Sequence, residues 1–305
     1  MKHALGLPLA LIVLILGFGF SSEYFLTRDT FVAIANEIPA LLVMAVGMTF
    51  ILVIAGIDLS VGSVLALSGG LSAVAIESWH WNVPSAMALG LLCGVVCGAM
   101  TGLISVTWRL PSFIVSLGML EVARGSAYLV TDSRTQYIGS AIDSLSAPLG
   151  LGISPAFLLA VAIVIASHVV LRRSVFGRYL IGVGTNEEAM RLAGVDPRPL
   201  KVLVFVLMGA LAALAGLMQI SRLEAADPNA GVGMELQVIA AVVIGGTSLM
   251  GGRGSVLNTF FGVLIVAVLE AGLAQVGASD PAKRVITGCV IIVAVLLDVY
   301  RNRGK

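Results

Sequence analysis

The sequence predicts an all-α, polytopic membrane protein with about ten transmembrane helices in a single transmembrane domain over residues 1–305. Hydrophobic residues make up 58% of the chain and charged residues only 11%, whereas about a quarter of a soluble protein is charged. The few charges are gathered between long apolar runs, which is the pattern of a helical membrane protein. The 35 glycines also suit helices that pack closely inside a bilayer.

The predicted spans are separated by short polar stretches. Several are shorter than the roughly 20 residues of an ordinary span or are broken by Gly and Pro, as at Asn36 to Pro39 and Gly56 to Ser60. Broken segments are tolerated only where they are buried in protein or face a water-filled path. Eight spans with re-entrant segments around Asp58 or Arg253 therefore remain an alternative. The apolar segments are 5–20, 38–56, 61–76, 83–107, 111–130, 154–171, 202–220, 236–250, 255–275 and 284–300.

The distribution of basic residues predicts the orientation. The first apolar run resembles a signal peptide, but Phe18 and Phe20 stand where cleavage requires small residues, so we predict an uncleaved span. Ten spans then leave both termini in the cytoplasm, with 12 of the 18 basic residues on that side. Cytoplasmic loops of membrane proteins carry such an excess. Trp79 and Trp81 would lie at the outer interface.

Residues 172–201 form the one long polar stretch between two apolar segments, with six basic residues against three acids. This basic excess predicts a cytoplasmic loop. Asn186 is a good helix N-cap, and Glu187 and Glu188 lie in the first turn, where the helix dipole favours anions. Gly194 is a typical residue for ending a helix. The loop should therefore contain a two-turn helix over 187–193.

This short helix has one small apolar face, formed by Ala189, Leu192 and Ala193. A helix of two turns is not stable alone in water, so it needs a surface to lie on. That surface is either the protein's own transmembrane bundle or a soluble partner.

Polar residues within apolar segments are candidates for a translocation path or a gate. Asp58 and Ser60 either cap the third span or line such a path. Glu121 and Arg124, three residues apart on one helix, either pair with each other or contact a polar substrate. The candidate set is Asp58, Ser60, Glu121, Arg124, Gln237 and Asn258.

The sequence lacks the motifs of common catalytic sites. Gly251 to Gly254 is not a Walker A loop, and no serine-hydrolase, zinc-protease or zinc-ligand spacing occurs. We therefore predict a non-catalytic protein that binds no metal, cofactor or nucleic acid. If it transports a solute, the energy comes from a partner or from an ion gradient.

Four stretches, taken in order over nearly the whole chain, resemble the permease subunits of bacterial binding-protein-dependent ABC importers of the ribose-type sugar branch. The first stretch is Gly56-Ile57-Asp58-Leu59-Ser60-Val61-Gly62-Ser63. The second starts with Leu110-Pro111-Ser112-Phe113-Ile114 and continues to Arg124-Gly125. The third joins Phe176-Gly177-Arg178 to Asn186-Glu187-Glu188-Ala189 and Arg191-Leu192-Ala193-Gly194, and the fourth runs from Gly245 to Ser255.

The resemblance implies that the loop at 172–201 is the coupling element that inserts into a separate ATPase subunit, which uses ATP and Mg. The coupling residues would be Arg178, Glu187, Glu188, Ala189, Arg191, Leu192 and Gly194. Importer permeases carry Glu-Ala-Ala, three residues and Gly, and Met190 departs from this pattern at the second Ala. The family also implies a second permease subunit, identical or different, and an extracytoplasmic sugar-binding protein.

The sequence thus predicts the permease subunit of an ATP-driven sugar importer in a bacterial inner membrane. It does not specify the sugar. The alternative is an ion-gradient-driven secondary transporter of a small polar solute, which would need a paired intramembrane acid or a proton relay. The acids of this sequence look isolated from one another, which favours the importer.

Overall fold

The computed structural model describes residues 6–279, 281–283, 285–290 and 292. The helices are α1 (Gly6–Ser21), α2 (Arg28–Glu37), α3 (Pro39–Val53), α4 (Val61–Glu77), α5 (Val83–Thr107), α6 (Ser112–Val130), α7 (Asp143–Ser146), α8 (Pro155–Arg173), α9 (Val175–Thr185), α10 (Glu187–Leu192), α11 (Pro197–Leu223), α12 (Met234–Ile244) and α13 (Val256–Gln275). This architecture confirms the all-α prediction.

Among the described residues, five helices are long and apolar enough to cross a membrane, namely α5, α6, α8, α11 and α13. A sixth span is possible from α2 and α3 together, which are bent by 50° at the break between them. Three further apolar helices, α1, α4 and α12, are shorter. These elements correspond to the first nine predicted segments, while most of the tenth, 284–300, falls outside the described residues.

The long helix α11 lies at the centre of the bundle, against α3, α4 and α5. Its crossing with α5 is close because Gly209 meets the backbone of Gly94, so that a Cβ at Gly209 would overlap a carbonyl oxygen. Large side chains such as Phe205 and Met208 are fully enclosed nearby. Close helix packing through small residues is typical of membrane bundles.

Two turns connect helices within the bundle and pack against each other. The first, residues 54–60, joins α3 to α4, and the second, residues 245–255, joins α12 to α13. The backbone N–H of Gly252 donates to the carbonyl of Val53 at 2.9 Å. We call these segments the paired turns, and the end of the bundle that carries them together with α10 is called the α10 end.

The opposite end of the bundle carries a feature that the sequence did not indicate. Gln136–Tyr137 (β1) and Ala225–Ala226 (β2) form a two-residue antiparallel ladder. The ladder joins the segment after α6 to the segment after α11, and this end is called the strand end.

Candidate coupling loop and transport path

The loop at the α10 end has the local structure that its sequence predicts. The Asn186 side chain accepts a hydrogen bond from the Ala189 N–H at 2.9 Å, so it caps α10 as expected. Gly194 has a φ of +84°, the left-handed conformation that favours glycine. The helix ends at Leu192, one residue before the predicted end, because Ala193 has left the helical region with a ψ of 5°.

Ionic contacts fix α10 to the rest of the protein. Glu187 accepts from Arg191 at 2.6 Å within the helix and from Lys201 of α11 at 2.5 Å. Partial burial alone would raise the pKa of Glu187. The hydrogen bonds and charges of Lys201 and Arg191 outweigh burial and leave that pKa below its ordinary value. Glu187 is therefore held ionised, and its carboxylate links α10 to α11.

The apolar face of α10 is not covered by the described part of the protein. Ala189 and Ala193 are exposed, and Leu192 is 86% exposed. Met190, which departs from the family pattern, points the other way and packs over Gly182 of α9. The large side chain therefore fills the space between α9 and α10 and leaves the exposed face unchanged.

A groove of about 620 Å³ lies between α10 and the end of α5. Leu110 and Leu192 supply apolar surface there, and charged side chains surround them. Arg178, the remaining predicted coupling residue, is exposed on α9. The charged residues of the groove are Arg109, Glu187, Glu188, Arg191, Arg198 and Lys201.

The C-terminal end of α9 rests directly on the paired turns. Gly184 meets the Val53 carbonyl and the Gly252 N–H so closely that a Cβ would overlap them. Thr185 contacts Gly252 in the same way. Backbone therefore packs on backbone at this junction, and the position of α9 is coupled sterically to the end of α3 and to the turn before α13.

Asp58 is buried within the first paired turn, where it accepts hydrogen bonds from Ser60 but from no N–H inside α4. Its Oδ1 accepts from the Ser60 backbone N–H at 2.9 Å and from the Ser60 hydroxyl at 2.6 Å. The Ser60 side chain itself caps no N–H of α4. Hydroxyls of α6 accept from the backbone of the same turn, Ser112 from Ile57 and Ser116 from Leu59, each at 3.0 Å.

Of the two alternatives for Glu121 and Arg124, the mutual pair is not formed. Arg124 instead donates to the carbonyls of Pro228 at 2.5 Å and Ala230 at 2.8 Å, while Glu121 is exposed. The segment before α12 lies against α6 and offers two backbone acceptors that have no helical partner. Such carbonyls need a donor inside a bilayer, and Arg124 satisfies both.

Gln237 and Asn258 lie in different surroundings. Gln237 of α12 donates from Nε2 to Glu270 of α13 at 2.8 Å, and both side chains are half-buried. Asn258 lies in the first turn of α13, where its backbone N–H is capped by Ser255 at 3.3 Å. Of the two, only Gln237 lines the cavities between α2, α12 and α13.

A cavity of about 300 Å³ opens beside the break between α2 and α3, near the strand end. An adjoining cavity of about 580 Å³ reaches Lys283, Thr287 and Gly288 in the segment after α13. Glu37, Gln237 and Glu270 line both, so the two acids that look isolated in the sequence share one site. Other polar side chains of the first cavity are Asn36, Ser146, Ser154, Gln219 and Arg222.

Sequence reasoning missed Glu37, Gln219, Arg222 and Glu270 as members of this site. Glu270 had a usable signal, since it is one acid inside the apolar run of α13, the criterion that selected Gln237. The break at Asn36 to Pro39 is visible in the sequence, but nothing in the sequence places a cavity beside it. Asn36 itself is held in place, because its amide donates to Gly152 and accepts from the Ser154 N–H, both at 2.8 Å.

Sequence comparison finds known proteins that resemble nearly the whole chain. The ribose import permease protein of Escherichia coli is 37% identical over 297 residues, which cover 95% of this chain and 92% of that protein. The corresponding protein of Haemophilus influenzae is 39% identical over 303 residues, 97% of this chain and 93% of that one.

The L-arabinose ABC transporter permease protein of Azospirillum brasilense is 33% identical over 302 residues, 98% of this chain and 88% of that protein. No solved structure matches. The family model described as "Branched-chain amino acid transport system / permease component" matches residues 30–295. This chain, a multi-pass membrane protein, therefore belongs to that family of ABC transporter permease components.

Proposed function

We propose that this chain is the transmembrane permease subunit of an ATP-driven importer that moves a monosaccharide of the ribose type across a bacterial inner membrane. The observation that carries the proposal is α10. It is a capped helix that Glu187 links to α11, and its apolar face, with Leu192 at 86% exposure, lacks a covering surface among the described residues.

The proposed partners follow from this face and from the family. An ATPase subunit covers α10 and hydrolyses ATP with Mg, a second permease subunit completes the path, and an extracytoplasmic binding protein delivers the sugar. The chain itself is then non-catalytic and binds no nucleotide. The sugar class rests on the relatives, one named as a ribose import permease and another as an L-arabinose ABC transporter permease.

The junction at the α10 end suggests how ATP binding changes the path. A displacement of α10 moves α9, and the end of α9 packs backbone to backbone on Val53 and Gly252. Because these residues end α3 and precede α13, the displacement is passed to both helices without flexible side chains. Alternating access is then a rigid movement of α3 and α13 around the polar cavity.

The proposed orientation places the α10 end in the cytoplasm and both termini on the same side. A cysteine introduced at Thr185 should resist an impermeant thiol reagent in intact cells, because the basic loop is cytoplasmic. A cysteine at Ser140, near the strand end, should react. Labelling at position 185 without lysis would refute this orientation.

The decisive experiment is reconstitution of the permease in proteoliposomes with its ATPase subunit and binding protein. We expect uptake of D-ribose or a related monosaccharide that requires ATP and the binding protein, and no nucleotide bound to the permease alone. The rival is a secondary transporter, which the acids Glu37 and Glu270 at one site favour. Uptake by this chain alone, driven by a proton or sodium gradient, would establish the rival and overturn the proposal.

A further inference from the structure

We propose that the polar cavity at the break between α2 and α3 is a binding subsite for an uncharged polyhydroxyl ligand, with Gln237, Gln219 and Glu270 as its hydrogen-bonding groups. This inference rests on the proposed function, because the ligand would be the sugar in transit. It assigns to the path a defined location and a recognition chemistry.

The pair of Gln237 and Glu270 provides an oriented set of polar atoms. The Gln237 amide nitrogen donates to Glu270 at 2.8 Å, which leaves the amide oxygen and the second carboxylate oxygen for other partners. These atoms lie where the two cavities meet. A sugar hydroxyl both donates and accepts, so it can bind a carboxylate and an amide at the same time.

Gln219 gives an independent reason to expect a ligand. Its Oε1 is buried and has no hydrogen-bond partner among the described residues, although the side chain lines the cavity. A buried polar atom without a partner costs free energy and calls for an explanation. A ligand hydroxyl that donates to this oxygen would satisfy it.

The size and the rest of the lining also suit a monosaccharide. The cavity volume of about 300 Å³ is at the lower end of the range for ligand pockets. Met218 and Met234 offer apolar surface to the C–H groups of a sugar ring, and Arg222 lies at the edge as a further donor. This mixture of acids, amides, a cation and apolar surface favours an uncharged polar ligand over a bare cation.

Transport by variants tests the subsite in the complete complex, with radiolabelled D-ribose as the probe. Gln237→Leu removes the amide at nearly constant size, and we expect about tenfold less uptake per ATP hydrolysed, the effect of losing one hydrogen bond to the ligand. Stimulation of the ATPase by the loaded binding protein should persist, because the α10 end is untouched. Gln219→Met should act in the same direction, and it breaks no recorded hydrogen bond, so this variant is expected to fold.

A matched control lies on the same helix as Glu270. Gln275 of α13 donates to Thr30 of α2 at 2.8 Å but lines neither cavity, so Gln275→Leu should leave uptake per ATP unchanged. Glu270→Gln keeps an acceptor for Gln237 and removes the charge. A sugar subsite should tolerate it within about threefold, whereas loss of uptake in Glu270→Gln with normal uptake in Gln237→Leu would show a cation site and overturn the proposal.

A binding measurement separates this inference from the proposed function, since it needs no ATPase. In a variant whose only cysteine is introduced by Ser146→Cys, which lines the cavity, D-ribose at millimolar concentrations should slow alkylation. Glycerol, which has no ring to contact Met218 and Met234, should protect far less. Adding Gln237→Leu should abolish the protection. Absence of protection overturns the subsite even if ATP-driven uptake is demonstrated, while failure of uptake with protection retained would overturn only the importer.

Discussion

The exposed face of α10 allows a quantitative prediction about partner binding. Leu192 is 86% exposed, so almost the whole side chain is available for burial when an ATPase subunit docks. Leu192→Ala removes three carbon groups, each contributing about 0.8 kcal/mol when buried. The loss of about 2.4 kcal/mol corresponds to roughly 50-fold weaker association per docking site. Leu192→Asp should weaken association further, because it would also place a charge in the contact.

The assay is the affinity of the purified ATPase subunit for the permease in lipid nanodiscs, measured beside ATP-driven uptake. Both variants should insert and accumulate normally, since Leu192 makes few contacts inside the permease. Leu129 is the matched control. It is a leucine with 84% exposure in the last turn of α6, at the strand end of the bundle. Leu129→Ala should leave the affinity unchanged. Unaltered association of Leu192→Asp would refute docking through this face and make α10 a passive connector.

Three further predictions concern contacts of the described structure. Arg124→Met removes the guanidinium that donates to the carbonyls of Pro228 and Ala230 in the segment before α12. The loss should destabilise the protein by about 2–3 kcal/mol and lower its Tm in detergent. An unchanged Tm would contradict this role of Arg124. Gly184→Val should leave ATP hydrolysis intact but abolish uptake. Gly118 has open space around it, so Gly118→Val should change neither ATP hydrolysis nor uptake. The lowered pKa of Glu187 means that its stabilisation is present above the ordinary glutamate range and is lost as pH falls through the lowered value. Wild type and Glu187→Gln should therefore differ in Tm at pH 7 and converge only at a pH below the ordinary glutamate pKa.

The features that could be predicted from sequence are those with local causes. The cap at Asn186, the acidic first turn and the glycine at 194 define α10 within a few residues of chain, and the structure reproduces it to one residue. The hydrogen bond from the Ser60 N–H to Asp58 is equally local, since donor and acceptor are two residues apart. Apolar segment length likewise depends only on the neighbouring sequence.

The features that sequence reasoning missed depend on distant segments. Arg124 lies one helical turn from Glu121, yet its partners are carbonyls more than 100 residues away. A local spacing rule cannot weigh such acceptors. The cavity likewise brings together α2, α11, α12 and α13, and the sequence shows each contributor as a lone polar residue. Only the fold turns separate residues such as Glu37 and Glu270 into one site.

The position of α3 links the two ends of the proposed mechanism. All fifteen of its residues are buried, so the helix is enclosed on every side and has little freedom to bend. It begins at Pro39, where the proline follows the 50° break and the polar cavity, and it ends at Val53, beneath α9. At 1.5 Å per residue α3 is about 22 Å long. In the proposed mechanism a movement of α9 against Val53 is passed along α3 towards Pro39, because close-packed interiors transmit strain. The break between α2 and α3 is the first place along this chain segment where the backbone can absorb the shift. The coupling junction would thus control the shape of the cavity across a distance that no side-chain contact spans.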